Sequence, residues 1–203
     1  MTAQPQHQHH YYTVEEYLAL EREAAFKSEY FQGEIYAMAG GRPMHGAIAM
    51  NLAREFVHQL KGKPCWVFSS DVMIRTNPNG LFSYPDLSIA CEELTFHDSK
   101  EDIITNPILI VEVVSDSTEA YDRGKKFRLY QQIETFTDYL LVAQDEPHID
   151  HYEKQADGRW LLTSAIGLGA NLPIPSLGCT LSLAEVYDKI VFPVSVLTPK
   201  EAK

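Results

Sequence analysis

The chain has 203 residues, enough for one domain with a full hydrophobic core. Its net charge of -11 excludes broad, nonspecific binding of nucleic acid through a basic surface, although a local basic cleft remains compatible with it. No apolar run reaches the roughly 18 to 20 residues that a membrane span needs. The polar start "MTAQPQHQHHYY" also lacks the apolar core of a signal peptide, so we expect a cytoplasmic protein with no membrane partner.

The three cysteines are far apart and odd in number: Cys65, Cys91 and Cys179. Such spacing argues against a disulfide framework and against a zinc site with four thiolate ligands. We expect three buried, reduced thiols.

The N-terminal third predicts a tail, a helix, a hairpin and a second helix. Residues 1–12 are polar and are predicted to form a flexible tail. Thr13 and Glu16 form a capping-box pattern at the start of "TVEEYLALEREAAF", and "SEYFQGEIYAMAG" predicts a hairpin that turns at Gln32-Gly33. The next helix, "HGAIAMNLAREFVHQLKG", ends at Gly62 and has one apolar face, formed by Ile48, Leu52, Phe56 and Leu60.

The remainder of the chain alternates predicted strands with short helices. The strands are "CWVFSSDVMIR", "PDLSIAC", "PILIVEVVS" and "DYLLVAQ", and a hairpin with Asp157-Gly158 at its turn follows them. Ser182 and Glu185 predict a second capping box, at the start of "SLAEVYDKI". This order predicts an α/β (α+β) fold, a mixed central sheet flanked by helices, in one domain over residues 13–192 with a C-terminal tail at 193–203.

A glutamate lies inside the apolar run "ILIVEVVS", residues 108–115. The run is continuous and mostly β-branched, which is typical of a strand buried on both faces. An isolated carboxylate there would be costly unless it is paired, protonated or bound to a metal. Glu112 is therefore a candidate functional residue, and a structural ion pair with Lys126 or Arg123 is the alternative.

A second acid, Asp86, stands at the start of the short apolar strand in "YPDLSIA". If the two strands are neighbours, Asp86 and Glu112 project into one recess, where two carboxylates repel each other unless a cation is present. A hard divalent cation such as Mg²⁺ accepts oxygen ligands and activates water for attack on phosphorus. The alternative for Asp86 is a turn residue that caps its strand.

The segment after the Glu112 strand, "DRGKKFRLYQQI", has helical spacing and supplies cations. Lys126 lies four residues after Asp122 and four before Tyr130, so the three residues share one helix face. A lysine on that face could neutralise charge that develops on a phosphate. The alternative is a solvated helix lysine, and Tyr130 is predicted to be a core residue or part of a cleft wall.

Three segments, "YPDLSIAC", "NPILIVEVVSDSTEAYDRGKKFRLYQQI" and "DYLLVAQ", resemble the Uma-two endonuclease family of the PD-(D/E)XK, or restriction-endonuclease-like, superfamily. The resemblance covers roughly residues 12 to 190 and implies a magnesium-dependent nuclease core, with Mn²⁺ as an alternative ion. On that pattern Asp86 and Glu112 are metal ligands, helped by the backbone carbonyl of Val113.

The sequence departs from the superfamily pattern at one position. The superfamily lysine stands two residues after the second acid, where this chain has Val114. In a pattern like "DRGxKF" the resemblance instead assigns that role to Lys126, and Lys125 stands at a variable position. The segment "EYFQGEI" matches an N-terminal family element in which Glu29 is the site acid, with a surface hairpin acid as its alternative. His45 also falls in a family-like position, where it could equally cap its helix.

These observations predict a metal-dependent endodeoxyribonuclease that acts on DNA through Asp86, Glu112, Lys126 and Glu29. Two alternatives stay open: an inactive nuclease-fold module that binds nucleic acid or protein, and a metal hydrolase of another phosphate ester. The terminal hairpin "HIDHYEKQADGRWLLTSAI" exposes strand edges, which a symmetric homodimer would cover.

Overall fold

A computed structural model describes residues 10–38, 40–115 and 118–192. Most of the predicted N-terminal tail and all of the C-terminal tail, 193–203, lie outside these residues. Tyr12, from the end of the predicted N-terminal tail, donates its backbone N–H to the carbonyl of Gly33 at 2.9 Å.

A six-stranded mixed sheet forms the centre of the fold, in the order β11-β10-β9-β8-β6-β3. Strands β8 and β9 are parallel and the other neighbours are antiparallel. The strands are β3 (Cys65–Ser69), β6 (Leu87–Cys91), β8 (Leu109–Val114), β9 (Asp138–Ala143), β10 (His148–Lys154) and β11 (Trp160–Ile166). All six residues of β8 are buried, as its apolar sequence predicts.

Two smaller sheets accompany the central one. A five-stranded sheet has the order β2-β1-β5-β4-β7, and β12 pairs with β13. Their strands are β1 (Ser28–Phe31), β2 (Glu34–Ala37), β4 (Met73–Arg75), β5 (Phe82–Ser83), β7 (Ile103–Ile104), β12 (Asn171–Ile174) and β13 (Cys179–Ser182). The five-stranded sheet contributes Glu29 to the site described below.

Helices cover both faces of the central sheet. Helix α2 packs its buried residues against Leu109 and Val111 on one face, and the segment from Phe127 packs against Ile110 and Leu141 on the other. The helices are α1 (Val14–Glu21), α2 (Pro43–Gln59), α3 (Glu119–Tyr121), a π-helix (Asp122–Lys126), α4 (Phe127–Tyr130) and α5 (Leu183–Val186). No helix in the described part of the chain is long and apolar enough to cross a membrane.

Several local predictions are confirmed. The capping box of Thr13 and Glu16 is formed at α1, with both reciprocal hydrogen bonds present. The first hairpin turns at Gln32-Gly33, where both residues have positive φ angles of 50° and 89°. Glycine tolerates this conformation because it has no Cβ.

Two local predictions are wrong. The segment "CWVFSSDVMIR" does not form one strand: β3 ends at Ser69 and β4 begins at Met73 in a different sheet. Ser182 precedes α5, but its side chain makes no capping hydrogen bond to the helix. A helix of four residues that is followed by buried Tyr187 is held by packing rather than by its cap.

The expectation of three reduced thiols is also wrong. Cys65 and Cys91 form a disulfide, whereas Cys179 is free and buried. The two bonded cysteines stand directly opposite each other on the antiparallel strands β3 and β6, with a Cα–Cα distance of 3.9 Å. The register of these strands, rather than cysteine spacing in the sequence, brings them together.

Candidate active site

Adjacent strands present Asp86 and Glu112 on the same face of the central sheet. In the antiparallel register of β6 and β8, Leu87 stands opposite Val111. Extending this register by one residue places Asp86 opposite Glu112, and directly opposed residues have their side chains on one face. Both acids line a cleft with a volume of about 1050 Å³.

Asp86 is held by two hydrogen bonds. Its Oδ1 lies 2.7 Å from Nε2 of His45, which stands near the start of α2. Its Oδ2 accepts the backbone N–H of Val113 at 2.7 Å. These contacts fix the carboxylate beside β8, and they connect it to the residue that follows Glu112.

The π-helix brings Lys126 to the same cleft. Its five residues, Asp122–Lys126, have the sequence "DRGKK", and both end residues are buried. Lys126 faces the carboxylates, whereas the ammonium of Lys125 lies over the ring of Phe31, 4.4 Å from its centroid. Single π-turns of this kind are frequent at functional sites in proteins.

Three carboxylates surround the ammonium of Lys126. Its Nζ lies 2.9 Å from Glu112 Oε1, 3.0 Å from Glu29 Oε1 and 3.8 Å from Asp122 Oδ1. The contact with Glu29 is close in distance but lacks hydrogen-bond geometry, because Glu29 Oε1 is buried without a hydrogen bond in the described structure. One cation therefore balances three acids, and Asp86 adds a fourth acid to the cleft.

Two linked hydroxyl groups, from Tyr130 on α4 and Ser83 on β5, hold Glu112 in position. Tyr130 donates its O–H to Glu112 Oε1 at 2.7 Å, and its oxygen lies 3.1 Å from the hydroxyl of Ser83. Tyr130 is fully buried. Because Oε1 meets both Tyr130 and Lys126, the orientation of the Glu112 carboxylate is set by the fold.

Burial and mutual repulsion shift the protonation of the acids. Burial raises the pKa of Glu112 to about 8, with Asp122, Asp86 and Glu29 adding to the rise and Lys126 opposing it. Burial also raises the pKa of Asp122. Although burial disfavours the Lys126 ammonium, the surrounding carboxylates, Glu112 first, raise its pKa well above the ordinary value. The hydrogen bond to Asp86 raises the pKa of His45, which burial opposes.

The oxygen atoms of the carboxylates in the cleft are the type of ligand that a hard divalent cation prefers. Within the described ranges, no group of three or more His, Cys, Asp or Glu side chains is arranged so that it could hold a metal ion as it stands. Mg²⁺, however, is commonly held by one or two carboxylates and keeps several waters. Asp86 and Glu112 offer two carboxylates, and the buried Glu29 Oε1 is an oxygen without a hydrogen bond nearby.

The structure brings together Glu29, His45, Asp86, Glu112 and Lys126, all of which line the cleft. It excludes Arg123 as the partner of Glu112, because Arg123 pairs with Glu119 and Asp150 instead. The sequence interpretation assigned no role to Asp122. The four-residue spacing between Asp122 and Lys126 was the signal that could have included it.

Comparisons with known proteins identify the family of the chain. The Uma2 family, described as "Putative restriction endonuclease", matches residues 14–184. Two proteins of Synechocystis sp., both named as uncharacterized, are similar to the chain. The first, slr1290, is 40% identical over 88% of this chain and 92% of its own length. The second, sll1609, is 36% identical over 79% of this chain and 90% of its own length.

A solved structure shares the fold. It is titled as a putative nuclease belonging to DUF820 from Anabaena variabilis, and it superposes with a TM-score of 0.72. It is 18% identical and covers 89% of this chain and 99% of its own, so it supports the fold alone. The predicted restriction-endonuclease-like fold, with mixed sheets flanked by helices, is thereby confirmed. With the family match spanning most of its length, the chain belongs to the Uma2 family.

Proposed function

We propose that the chain is a metal-dependent endonuclease that hydrolyses phosphodiester bonds in DNA, with Mg²⁺ as its ion and Mn²⁺ as an alternative. The observation that carries the proposal is the convergence of Asp86, Glu112 and Lys126 in one cleft, from the residue before β6, from β8 and from the π-helix. Acidic oxygen ligands beside one cationic side chain are what phosphoryl chemistry needs. The family match supports a nuclease.

Asp86 and Glu112 would hold the cation, together with the backbone carbonyl of Val113. In a β-strand the N–H and C=O of one residue point toward the same neighbouring strand. Because the N–H of Val113 points at Asp86, its carbonyl faces the same side. A divalent ion held by these groups would supply Lewis-acid chemistry that activates water for attack on phosphorus.

The other residues of the cleft orient the two carboxylates and neutralise charge on the phosphate. His45 fixes Asp86, and Tyr130 fixes Glu112, so that neither carboxylate has to be ordered when substrate binds. Lys126 keeps its proton at neutral pH and offers a positive charge near the phosphate. Glu29 holds that ammonium in the cleft from the five-stranded sheet.

A cleavage assay tests the proposal. Supercoiled, linear duplex, single-stranded and branched DNA are incubated with the protein and Mg²⁺, Mn²⁺ or EDTA. Glu112→Gln serves as the control for contaminating nucleases, because it keeps the size of the side chain and removes its charge. Metal-dependent cleavage of one DNA form by the wild type, absent in Glu112→Gln, is the expected result. Equal cleavage by both proteins would overturn it.

One observation favours the alternative of an inactive nuclease-fold module. Lys126 and His45 already neutralise the acids through close contacts, so the site is stable as an internal ion-pair network. Magnesium calorimetry on the wild type and on Asp86→Ala separates the two functions. The endonuclease requires binding that Asp86→Ala removes, whereas the module predicts no magnesium binding by either protein.

We also propose a homodimer that pairs through β11. This strand is at one edge of the central sheet and exposes Leu161, Leu162 and Ile166, which are 51%, 47% and 69% exposed. An exposed apolar edge favours pairing with a second strand. Two subunits would offer two clefts to a duplex. Light scattering at micromolar concentration should give the mass of a dimer, and a monomer would contradict the proposal.

A further inference from the structure

A second pocket lies on the other face of the five-stranded sheet from the catalytic cleft. Side chains alternate along β1, so Glu29 faces the cleft and its neighbour Tyr30 faces away from it. Tyr30 and Arg75 each stand opposite Phe82 in the register of the sheet, which places all three on the far face. The pocket has a volume of about 730 Å³ and is lined by Tyr11, Tyr12, Tyr30, Gln32, Arg75 and His97.

Among the described residues, no acid forms an ion pair with Arg75. One terminal nitrogen of its guanidinium lies 2.7 Å from Nδ1 of His97. Its Nε is buried and has no hydrogen-bond partner among the described residues. Burial lowers the pKa of Arg75, and no carboxylate among the described residues raises it again. By contrast, Arg22 and Arg123 each pair with two carboxylates.

The imidazole of His97 does not supply the missing negative charge. Burial lowers the pKa of His97, and the charge of Arg75 lowers it further, while Asp98 and Asp102 oppose the fall. A neutral ring accepts the Arg75 N–H at Nδ1 and leaves the guanidinium charge uncompensated. Arg75 is partly buried, but its Nε is enclosed without a hydrogen bond in the described structure. Enclosed donors in proteins normally have a partner, so an unpartnered one at a pocket points to a ligand.

The surroundings of Arg75 favour a particular anion. A guanidinium presents a planar fork of donors that matches phosphate and carboxylate groups. The pocket is much larger than a single anion needs, and tyrosine rings form part of its wall. Aromatic rings are platforms for nucleobases, which stack on them without regard to sequence. Glu15 also lies at the pocket and is exposed, so its carboxylate is screened by solvent rather than buried beside Arg75.

We propose that this pocket is a second ligand site that binds a mononucleotide, with the phosphate at Arg75 and the base against the rings of Tyr11 and Tyr12. The site is separate from the catalytic cleft, and the inference does not depend on the proposed nuclease activity. The ligand supplies the negative charge that Arg75 lacks in the described structure.

Calorimetry on the full chain in EDTA tests the proposal. The probes are deoxyadenosine 5′-monophosphate, inorganic phosphate and deoxyadenosine, each up to about 10 mM. The monophosphate should bind at least about tenfold more tightly than the nucleoside, because the charge-assisted bonds to Arg75 need the phosphate. Failure of the monophosphate to bind would overturn the site. Binding of only a DNA oligonucleotide would also overturn it, in favour of a nucleic-acid surface.

Variants locate the binding. Arg75→Gln should weaken monophosphate binding at least about tenfold, whereas Arg159→Gln, a matched change of an exposed arginine in the β10–β11 turn, should leave it unchanged. Glu112→Gln should also leave it unchanged. Equal affinity in Arg75→Gln and wild type would contradict the proposal.

A measurement on the wild type tests the site without relying on the folding of Arg75→Gln. Backbone NMR shifts on addition of the monophosphate should concentrate at Thr13, Gln32, Gly33 and His97, which surround the pocket. Shifts that concentrate instead at His45 and Val113 would place the ligand in the catalytic cleft and overturn the second site.

Discussion

The ammonium of Lys126 lies 2.9 Å from Glu112 Oε1, and the two side chains are only 7% and 8% exposed. Such a buried pair has two physical explanations. It stabilises the fold, or it holds a catalytic carboxylate and its lysine in place until a metal and a phosphate arrive.

Replacement of Glu112 by Gln should abolish cleavage and reduce the stabilisation that Mg²⁺ gives to the wild type. Ligand that binds only the folded state raises stability with its concentration. Without metal, Glu112→Gln should change the free energy of unfolding by less than about 1 kcal/mol, because Glu29 and Asp122 still neutralise Lys126. Urea unfolding with and without Mg²⁺ measures both effects.

A structural ion pair predicts the reverse outcome for the same variant. In that case the 2.9 Å contact with Glu112 is the one that stabilises Lys126, and the contacts with Glu29 and Asp122 do not replace it. Loss of the pair would then cost roughly 3 to 5 kcal/mol, and Mg²⁺ would leave the wild type unaffected. That combination of results would contradict the proposed enzymatic activity and show that Glu112 is a structural residue.

The metal-free protein should lose stability as pH rises from about 4.5 to about 8. The pKa of Glu112 is raised from 4.5 to about 8, so the folded chain binds a proton that the unfolded chain releases in this window. The unfolded state then binds fewer protons, and the free energy of unfolding falls by at most about 1.4 kcal/mol per pH unit for each such group. The raised pKa values of Asp122 and His45 act in the same direction.

Urea unfolding in EDTA across this pH range measures the slope. Glu112→Gln should flatten it, because the substituted side chain does not titrate. A wild-type stability that rises from pH 5 to pH 8 would contradict the raised pKa values.

Lys126→Met and Lys125→Met form a matched pair. Lys126→Met removes the charge near the phosphate and should lower the cleavage rate by about 10²-fold or more. It should also cost about 3 kcal/mol without metal, because the buried acids Glu112 and Asp122 and the partly buried Glu29 lose their cation. Lys125→Met loses only a contact with the Phe31 ring, worth at most about 1 kcal/mol. Cleavage that depends on Lys125 rather than Lys126 would show that the helix lysine is misassigned.

His45→Ala should lower cleavage by roughly 10- to 100-fold, the usual cost of removing a side chain that orients a metal ligand. The lost interaction is the 2.7 Å contact with Asp86. His58→Ala is the control, because His58 is an exposed histidine in the last turn of the same helix. Magnesium calorimetry on both variants distinguishes weaker metal binding from a slower reaction. An unchanged cleavage rate in His45→Ala would show that His45 has no role in positioning Asp86 for the reaction.

Reduction of the Cys65–Cys91 disulfide should lower the free energy of unfolding by about 3 to 4 kcal/mol, the chain-entropy value for a loop closed across 26 residues. The measurement is urea unfolding of the wild type with and without reductant. A variant with both cysteines changed to serine should match the reduced protein. If mass spectrometry after thiol alkylation finds three free thiols in the native protein, the disulfide is absent and the cysteines are reduced, as their spacing predicts.

The sequence predicted the features that are encoded locally. The capping box of Thr13 and the Gln32-Gly33 turn depend on neighbouring residues, and both were predicted correctly. The acidic pair Asp86 and Glu112 was also predictable as neighbours, because an acid in an apolar strand demands a partner.

The features that were missed depend on how distant segments meet. The strands β5 and β7 have two residues each and depend on their neighbours in the sheet: β5 pairs with β1 and β4, and β7 pairs with β4. The hydrogen bond from Tyr130 to Glu112 depends on where the helix crosses the sheet, which periodicity does not specify. The Cys65–Cys91 bond likewise depends on strand register.

The π-helix gives the chain length between Asp122 and Phe127 a direct chemical meaning. A π-turn carries one residue more than the α-helical turn it replaces, and each residue of an α-helix turns the side chains by about 100°. Deletion of Gly124 would let the segment relax to an α-helix while Phe127 and Tyr130 stay packed in the core. Asp122 and Arg123 would then rotate away from Lys126 and Asp150, the groups they now contact. A single inserted residue thus decides which acid shares the cleft with the lysine, so the spacing of this segment, and not only its composition, is under chemical constraint.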